Sequence, residues 1–135
     1  MHIYLGSDHA GVNLKKELKL YLEEIYKSGE DNLVLDLGVF TNDATEYFDI
    51  EREVCEKVLE NPGAIGVVFS ANGEQTCTLA NKTNGIKAVL LDQGQSTETI
   101  GQPSPNLLCF PANLTDLNLI KKTVSDFANS KVIKK

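Results

Sequence analysis

The chain has 135 residues, 41% of them hydrophobic, with 19 acidic against 13 basic side chains and a net charge of −6. That length fits one domain spanning residues 1–135 with a core of its own, and the acidic balance argues against nucleic acid or an anionic membrane as the main partner, since both demand a basic face. Arg52 is the sole arginine, so forked guanidinium clamps on a phosphate are scarce. Cys55, Cys77 and Cys109 are odd in number, widely spaced and free of any metal-binding spacing. They read as thiols of a reducing compartment. With no apolar run near the roughly 18 residues of a membrane span, the expectation is a cytoplasmic protein without a bound metal.

Chain order alternates two periodicities. The run Ile3–Leu5 reads as a strand and is followed by the turn Gly6-Ser7-Asp8-His9-Ala10-Gly11. Val12, Leu14, Leu18, Leu22 and Ile25 then recur at helical spacing. A second strand is expected over Leu33–Leu37, and a helix carrying Ile50, Val54, Val58 and Leu59, which Gly63 turns into a third strand, Ile65–Phe69. Ser70-Ala71-Asn72-Gly73-Glu74-Gln75 leads into a helical stretch that ends near Ala80-Asn81-Lys82. Gly85 precedes a fourth strand, Ile86–Leu91. From Asp92 to Pro105 the rhythm fails and a loop is expected; Leu107–Phe110 supplies the fifth strand. Leu114, Leu117, Ile120, Val124 and Phe127 outline the last helix, with Asn113 or Thr115 as its cap, and Lys131–Lys135 reads as a frayed tail. This alternation predicts a single-domain α/β fold, a doubly wound, Rossmann-like five-stranded parallel sheet with helices on both faces.

In such a sheet, ligands settle where strand carboxyl ends meet helix amino ends, because free N–H groups and helix dipoles point there. Both polar turns, Gly6–Gly11 and Ser70–Gln75, have that position. His9 is the histidine placed for chemistry; His2 lies in the opening strand. In the second turn Gly73 permits close approach of backbone to a ligand, and Glu74 is a carboxylate at a helix start, where it serves either as a general base or simply as a favourable helix-end charge. Asp8 reads equally as a cap of the first helix. Tyr47 and Asp49 read as a packing residue and an N-cap as readily as ligand contacts, and Cys77, inside the helical stretch, as a core thiol with nothing nearby to activate it.

Taken together, Gly6–Gly11, Glu46-Tyr47-Phe48-Asp49, Ala80-Asn81-Lys82 and Gly85-Ile86-Lys87-Ala88 resemble the ribose-5-phosphate isomerase B family, which includes galactose-6-phosphate isomerase subunits. The resemblance is clearest over residues 1–91. It implies an aldose–ketose isomerase of sugar phosphates that works through an enediolate without metal or cofactor, as a homodimer or higher oligomer. One branch of that family uses a cysteine at the start of the loop after the third strand, another a glutamate within a Ser-Gly-Asn-Gly-Glu-Gln loop. Ser70–Gln75 is similar to the second. By that match Glu74 is the base, Ser70 the oxyanion-side hydroxyl, and Asp8, His9, Asn72, Gly73 and Tyr47 contact the substrate, with a two-residue insertion before the following helix. Aligned instead on Ala80-Asn81-Lys82 without gaps, Ser70 falls where the first branch keeps its cysteine.

The chain also departs from the family pattern. Gln102-Pro103 stands where the family has a His-Asn pair, Pro111 replaces a glycine, and no arginine-bearing tail follows. Phosphate then falls to His9, helix N-termini and lysines such as Lys82. These departures imply an alternative: a catalytically impaired sugar-phosphate-binding member, or one subunit of a hetero-oligomeric isomerase with a homologous partner.

Overall fold

The computed structural model describes residues 1–27, 31–39, 47–91, 105–113 and 116–133, with backbone alone at Tyr47, Phe48 and 130–133. In chain order these are β1 (His2–Ser7), a 3-10 turn (His9–Gly11), α1 (Val12–Ile25), β2 (Leu33–Asp36), α2 (Tyr47–Glu60), β3 (Ile65–Ser70), α3 (Gly73–Ala80), β4 (Ala88–Leu90), β5 (Leu107–Pro111) and α4 (Leu117–Ile133). All the strands are parallel, in the order β2-β1-β3-β5-β4. The chain moves outward from β1 to β2 and then returns to the other side of β1 for β3. The winding therefore reverses between β1 and β3.

Alternation along the strands builds two apolar layers. Ile3, Leu5, Val67, Phe69, Leu108 and Phe110 face Leu18 and Leu22 of α1 and Ile120, Val124 and Phe127 of α4, with Phe69 and Phe110 stacked at 5.4 Å. Tyr4, Val68, Leu107 and Cys109 face Val54, Cys55 and Val58 of α2 and Ala80 of α3. The expected doubly wound α/β sheet is thus the observed one.

Local differences have physical causes. β4 is shorter than the expected Ile86–Leu91 because the residues before it bond elsewhere: Ile86 N donates to Thr83 O at 3.1 Å and Lys87 N to Asn106 Oδ1 at 2.7 Å. The amide of Asn81 brackets Ala88, accepting from its N at 2.8 Å and donating to its O at 3.0 Å. The cap of α4 is Asp116, whose Oδ1 accepts from Leu119 N at 3.1 Å, in place of the expected Asn113 or Thr115. That helix runs to Ile133, so 131–133 is helical where a frayed tail was expected. Asp49 is not an N-cap: it lies in the first turn of α2 and pairs with Arg52 at 2.6 Å. The expected loop at 92–105 lies outside the described residues except for Pro105.

Among the described residues two charged side chains are buried. Lys15 of α1 is fully enclosed, 2.8 Å from Asp36 at the end of β2, and donates to the carbonyl of Val39. Glu51 of α2 is 3% exposed, and neither carboxyl oxygen has a partner among the described residues. Burial pushes its pKa from the ordinary 4.5 to about 7. The folded protein therefore holds this proton more tightly than the unfolded chain, and stability falls as pH rises from the unfolded value through about 7. Glu51→Gln removes the titration. The variant's stability relative to wild type is expected to rise by about 3 kcal/mol between pH 4 and pH 8, read by urea unfolding at both pH values; a difference independent of pH would show that Glu51 does not titrate across this range.

Candidate active site

β1 and β3 pair side by side, Leu5 against Val67 and Ser7 against Phe69, so the turns that follow them emerge together at the carboxyl edge where the winding reverses. Asp8 joins the two. Its Oδ1 accepts from Ala10 N at 3.0 Å and Gly11 N at 3.2 Å, capping the 3-10 turn, while Oδ2 accepts from Ala71 N at 2.8 Å. Asp8 N donates to Phe69 O at 3.1 Å. A residue expected either to cap or to touch ligand thus straps the first turn to the second. His9, next along, is exposed.

Two glycines set how closely the pieces approach. A Cβ on Gly11 would sit 2.5 Å from Phe69 Cβ, so the first turn can lie against β3 only without a side chain there. A Cβ on Gly73 would lie 3.2 Å from Pro111 N and 3.0 Å from Leu90 Cδ1, which brings the start of α3 tight against the ends of β4 and β5.

Asn72 caps α3, accepting from Gln75 N at 3.0 Å through Oδ1. The helix begins at Gly73, inside the turn. Glu74 lies in the first helical turn, exposed, with no hydrogen bond or ion pair among the described residues. An exposed carboxylate at a helix amino end, on the carboxyl edge of a parallel sheet, is able to take a proton from a bound molecule. Ser70 is 3% exposed, and its hydroxyl shares a 2.7 Å hydrogen bond with Thr76 of α3.

The other expected residues divide. The backbone of Tyr47 opens α2; its side chain lies outside the described residues. Lys82 follows the far end of α3, whose helix runs about 9 Å from Glu74 to Ala80. There it lines a cavity of about 270 Å³ with Glu51, Arg52, Cys55, Leu79, Ala80 and Thr83, and another of about 370 Å³ with Gln75, Thr78 and Leu79. Cys77, expected to be unactivated, shares its apolar layer with Cys109, which holds its thiol below the ordinary range. The partners of Cys77 and Asp8 are 32 and 63 residues away in sequence, and no local pattern announces them.

The profile of the ribose/galactose isomerase family matches residues 3–135. The chain belongs to that family. It is 33% identical over 130 residues to a probable ribose-5-phosphate isomerase B of Mycoplasma genitalium, covering 93% of this chain and 82% of that one. It is 26% identical over 132 residues to galactose-6-phosphate isomerase subunit LacB of Clostridium acetobutylicum, covering 97% and 73%. The crystal structure of ribose-5-phosphate isomerase B from Mycoplasma genitalium with bound ribulose-5-phosphate superposes with a TM-score of 0.79 at 26% identity, over 98% of this chain and 92% of that one. The resemblance stated from the motifs is therefore the chain's family, and sugar-phosphate isomerase is its enzyme class. Among the described residues no helix is long and apolar enough to cross a membrane.

Proposed function

We propose that the chain interconverts an aldose and a ketose phosphate, a pentose or hexose, with Glu74 as the base. The observation that supports this best is the Asp8 strap, which ties the Gly6–Gly11 turn, carrying His9, to the Ser70–Gln75 turn, carrying Glu74. Glu74 takes the proton from carbon 2 of the open-chain aldose, the loop amides and Ser70 stand on the oxyanion side of the enediolate, and the same carboxyl returns the proton to carbon 1. Asp8, His9, Asn72, Gly73 and Tyr47 surround the sugar phosphate, and neither metal nor cofactor enters. Three free cysteines fit a cytoplasmic site of action.

The test is a panel of pentose and hexose phosphates deuterated at carbon 2, assayed for isotope loss and for product. Exchange with one of them is expected. A second reading, one subunit of a hetero-oligomer, is favoured by the likeness to a relative named as a subunit and by Gln102-Pro103 in place of the family's His-Asn pair. Binding without exchange, restored by a homologous partner chain, would replace the first reading with this one. As part of the first reading the chain pairs with itself, and light scattering at micromolar concentration showing only monomer would contradict that.

A further inference from the structure

Glu51 takes no part in the reaction proposed above, and among the described residues the fold supplies it with no partner. It lies on α2, 3% exposed, with both carboxyl oxygens buried and unbonded. Lys15, the other buried ionisable group, has Asp36 at 2.8 Å. A buried carboxyl without a hydrogen bond costs stability, and a bound molecule that supplies the missing bonds offsets that cost. Glu51 also lines a cavity of about 270 Å³ between α2 and the carboxyl end of α3. The rest of the lining is of two kinds: Cys55, Leu79 and Ala80 are apolar, while Arg52, Lys82 and Thr83 are polar. Arg52 is engaged with Asp49 at 2.6 Å, whereas Lys82 is exposed and has no ion pair among the described residues. A cation alone would meet Lys82 and Arg52 there, and an anion alone would meet Glu51. A molecule that carries both charges satisfies both ends.

We propose that this cavity binds a small zwitterion of the amino-acid class, its primary ammonium on the Glu51 carboxylate, its anionic end on Lys82 and its hydrocarbon against Cys55, Leu79 and Ala80. The volume of about 270 Å³, roughly nine waters' worth, suits a molecule of about that many non-hydrogen atoms. Ammonium pairing holds Glu51 ionised, whereas in the empty cavity burial keeps it protonated up to about pH 7. Binding at lower pH therefore releases the Glu51 proton to solvent, and affinity rises with pH until that proton is already gone. The other titratable groups near Glu51 are thiols: Cys55 on its own helix, at about 11, Cys109 on β5, well above the ordinary range, and Cys77 on α3, below it. The cations on the cavity are Arg52 and Lys82.

The experiment is isothermal titration of the full chain with L-leucine and with ε-aminocaproate, isomers that differ in the spacing of their two charges, beside hexylamine and hexanoate, which each keep one charge. At least one zwitterion is expected to bind at millimolar concentration, and each singly charged analogue about tenfold or more weakly than that zwitterion. Binding should be about tenfold weaker at pH 6 than at pH 8, and at pH 6 two buffers of different ionisation enthalpy should report about one proton released per site. Glu51→Gln should abolish both the proton release and the pH dependence, and Lys82→Ala should weaken binding without changing the proton count. Failure of both zwitterions to bind, equal binding of hexylamine or hexanoate, or unchanged pH dependence in Glu51→Gln would overturn the proposal. The wild-type pH profile depends on no variant folding and on no isomerase assay.

Discussion

Glu74→Gln is expected to cut carbon-2 deuterium exchange by about 10²–10⁴-fold while leaving sugar-phosphate binding within a few-fold. Glutamine keeps the shape and the helix-start position of Glu74, and loses only the capacity to accept a proton. The turn itself does not depend on this side chain: its cap is Asn72, its anchor the Ser70–Thr76 hydrogen bond, and its tie to β1 the Asp8–Ala71 bond. Isothermal titration with the substrate that the wild type turns over, beside the exchange assay, separates the two effects. Full exchange in the variant would move the base elsewhere and remove the loop alignment that selected Glu74. Loss of binding together with exchange would make Glu74 a contact residue and not the base.

Lys15→Met is expected to destabilise the fold by about 3–5 kcal/mol, because it leaves the Asp36 carboxylate, 8% exposed, without its cation. Lys15 also donates to Val39 O, and Asp36 Oδ1 accepts from Gly38 N at 2.9 Å, so the pair fastens the chain as it leaves β2. That same segment exchanges two hydrogen bonds with Ser7, immediately ahead of the Asp8 strap. Replacing both partners, Lys15→Met with Asp36→Leu, should recover part of the loss, since an apolar pair leaves no buried charge uncompensated. Urea unfolding of the single and double variants measures this; a cost below about 1 kcal/mol for Lys15→Met would mean that the pair behaves as a surface pair does.

The arrangement of strands and helices was legible because it rests on periodicity. Val12, Leu18 and Leu22 repeat on one helix face, and the five apolar runs stand apart with polar turns between them, so the winding and its carboxyl-edge turns follow from local pattern. What escaped was chemistry set by distant partners. Lys15 and Glu51 lie among the charged positions of amphipathic helices and look solvated in sequence, yet both are enclosed. Asp8 reads as a cap from its neighbours alone; the bond to Ala71 exists only once β1 lies beside β3. Cys77 appeared inert for the same reason, its activating neighbour being on β5. At the last helix Asp116 took the capping role from Asn113 and Thr115, three residue types that sequence preference ranks almost equally.

Both turns of the site hang from interior strands: β1 is flanked by β2 and β3, and β3 by β1 and β5, whereas β4 is a three-residue strand at the sheet's margin. Fluctuations that open a sheet begin at its margins and reach the centre last. Breathing at β4 therefore leaves the Asp8–Ala71 connection intact, and the two turns part only with the centre of the sheet. Amide protons of Leu5 and Val67 are accordingly expected in the slowest-exchanging set and report on the junction of the two turns. The junction of the two turns is as long-lived as the most protected part of the molecule.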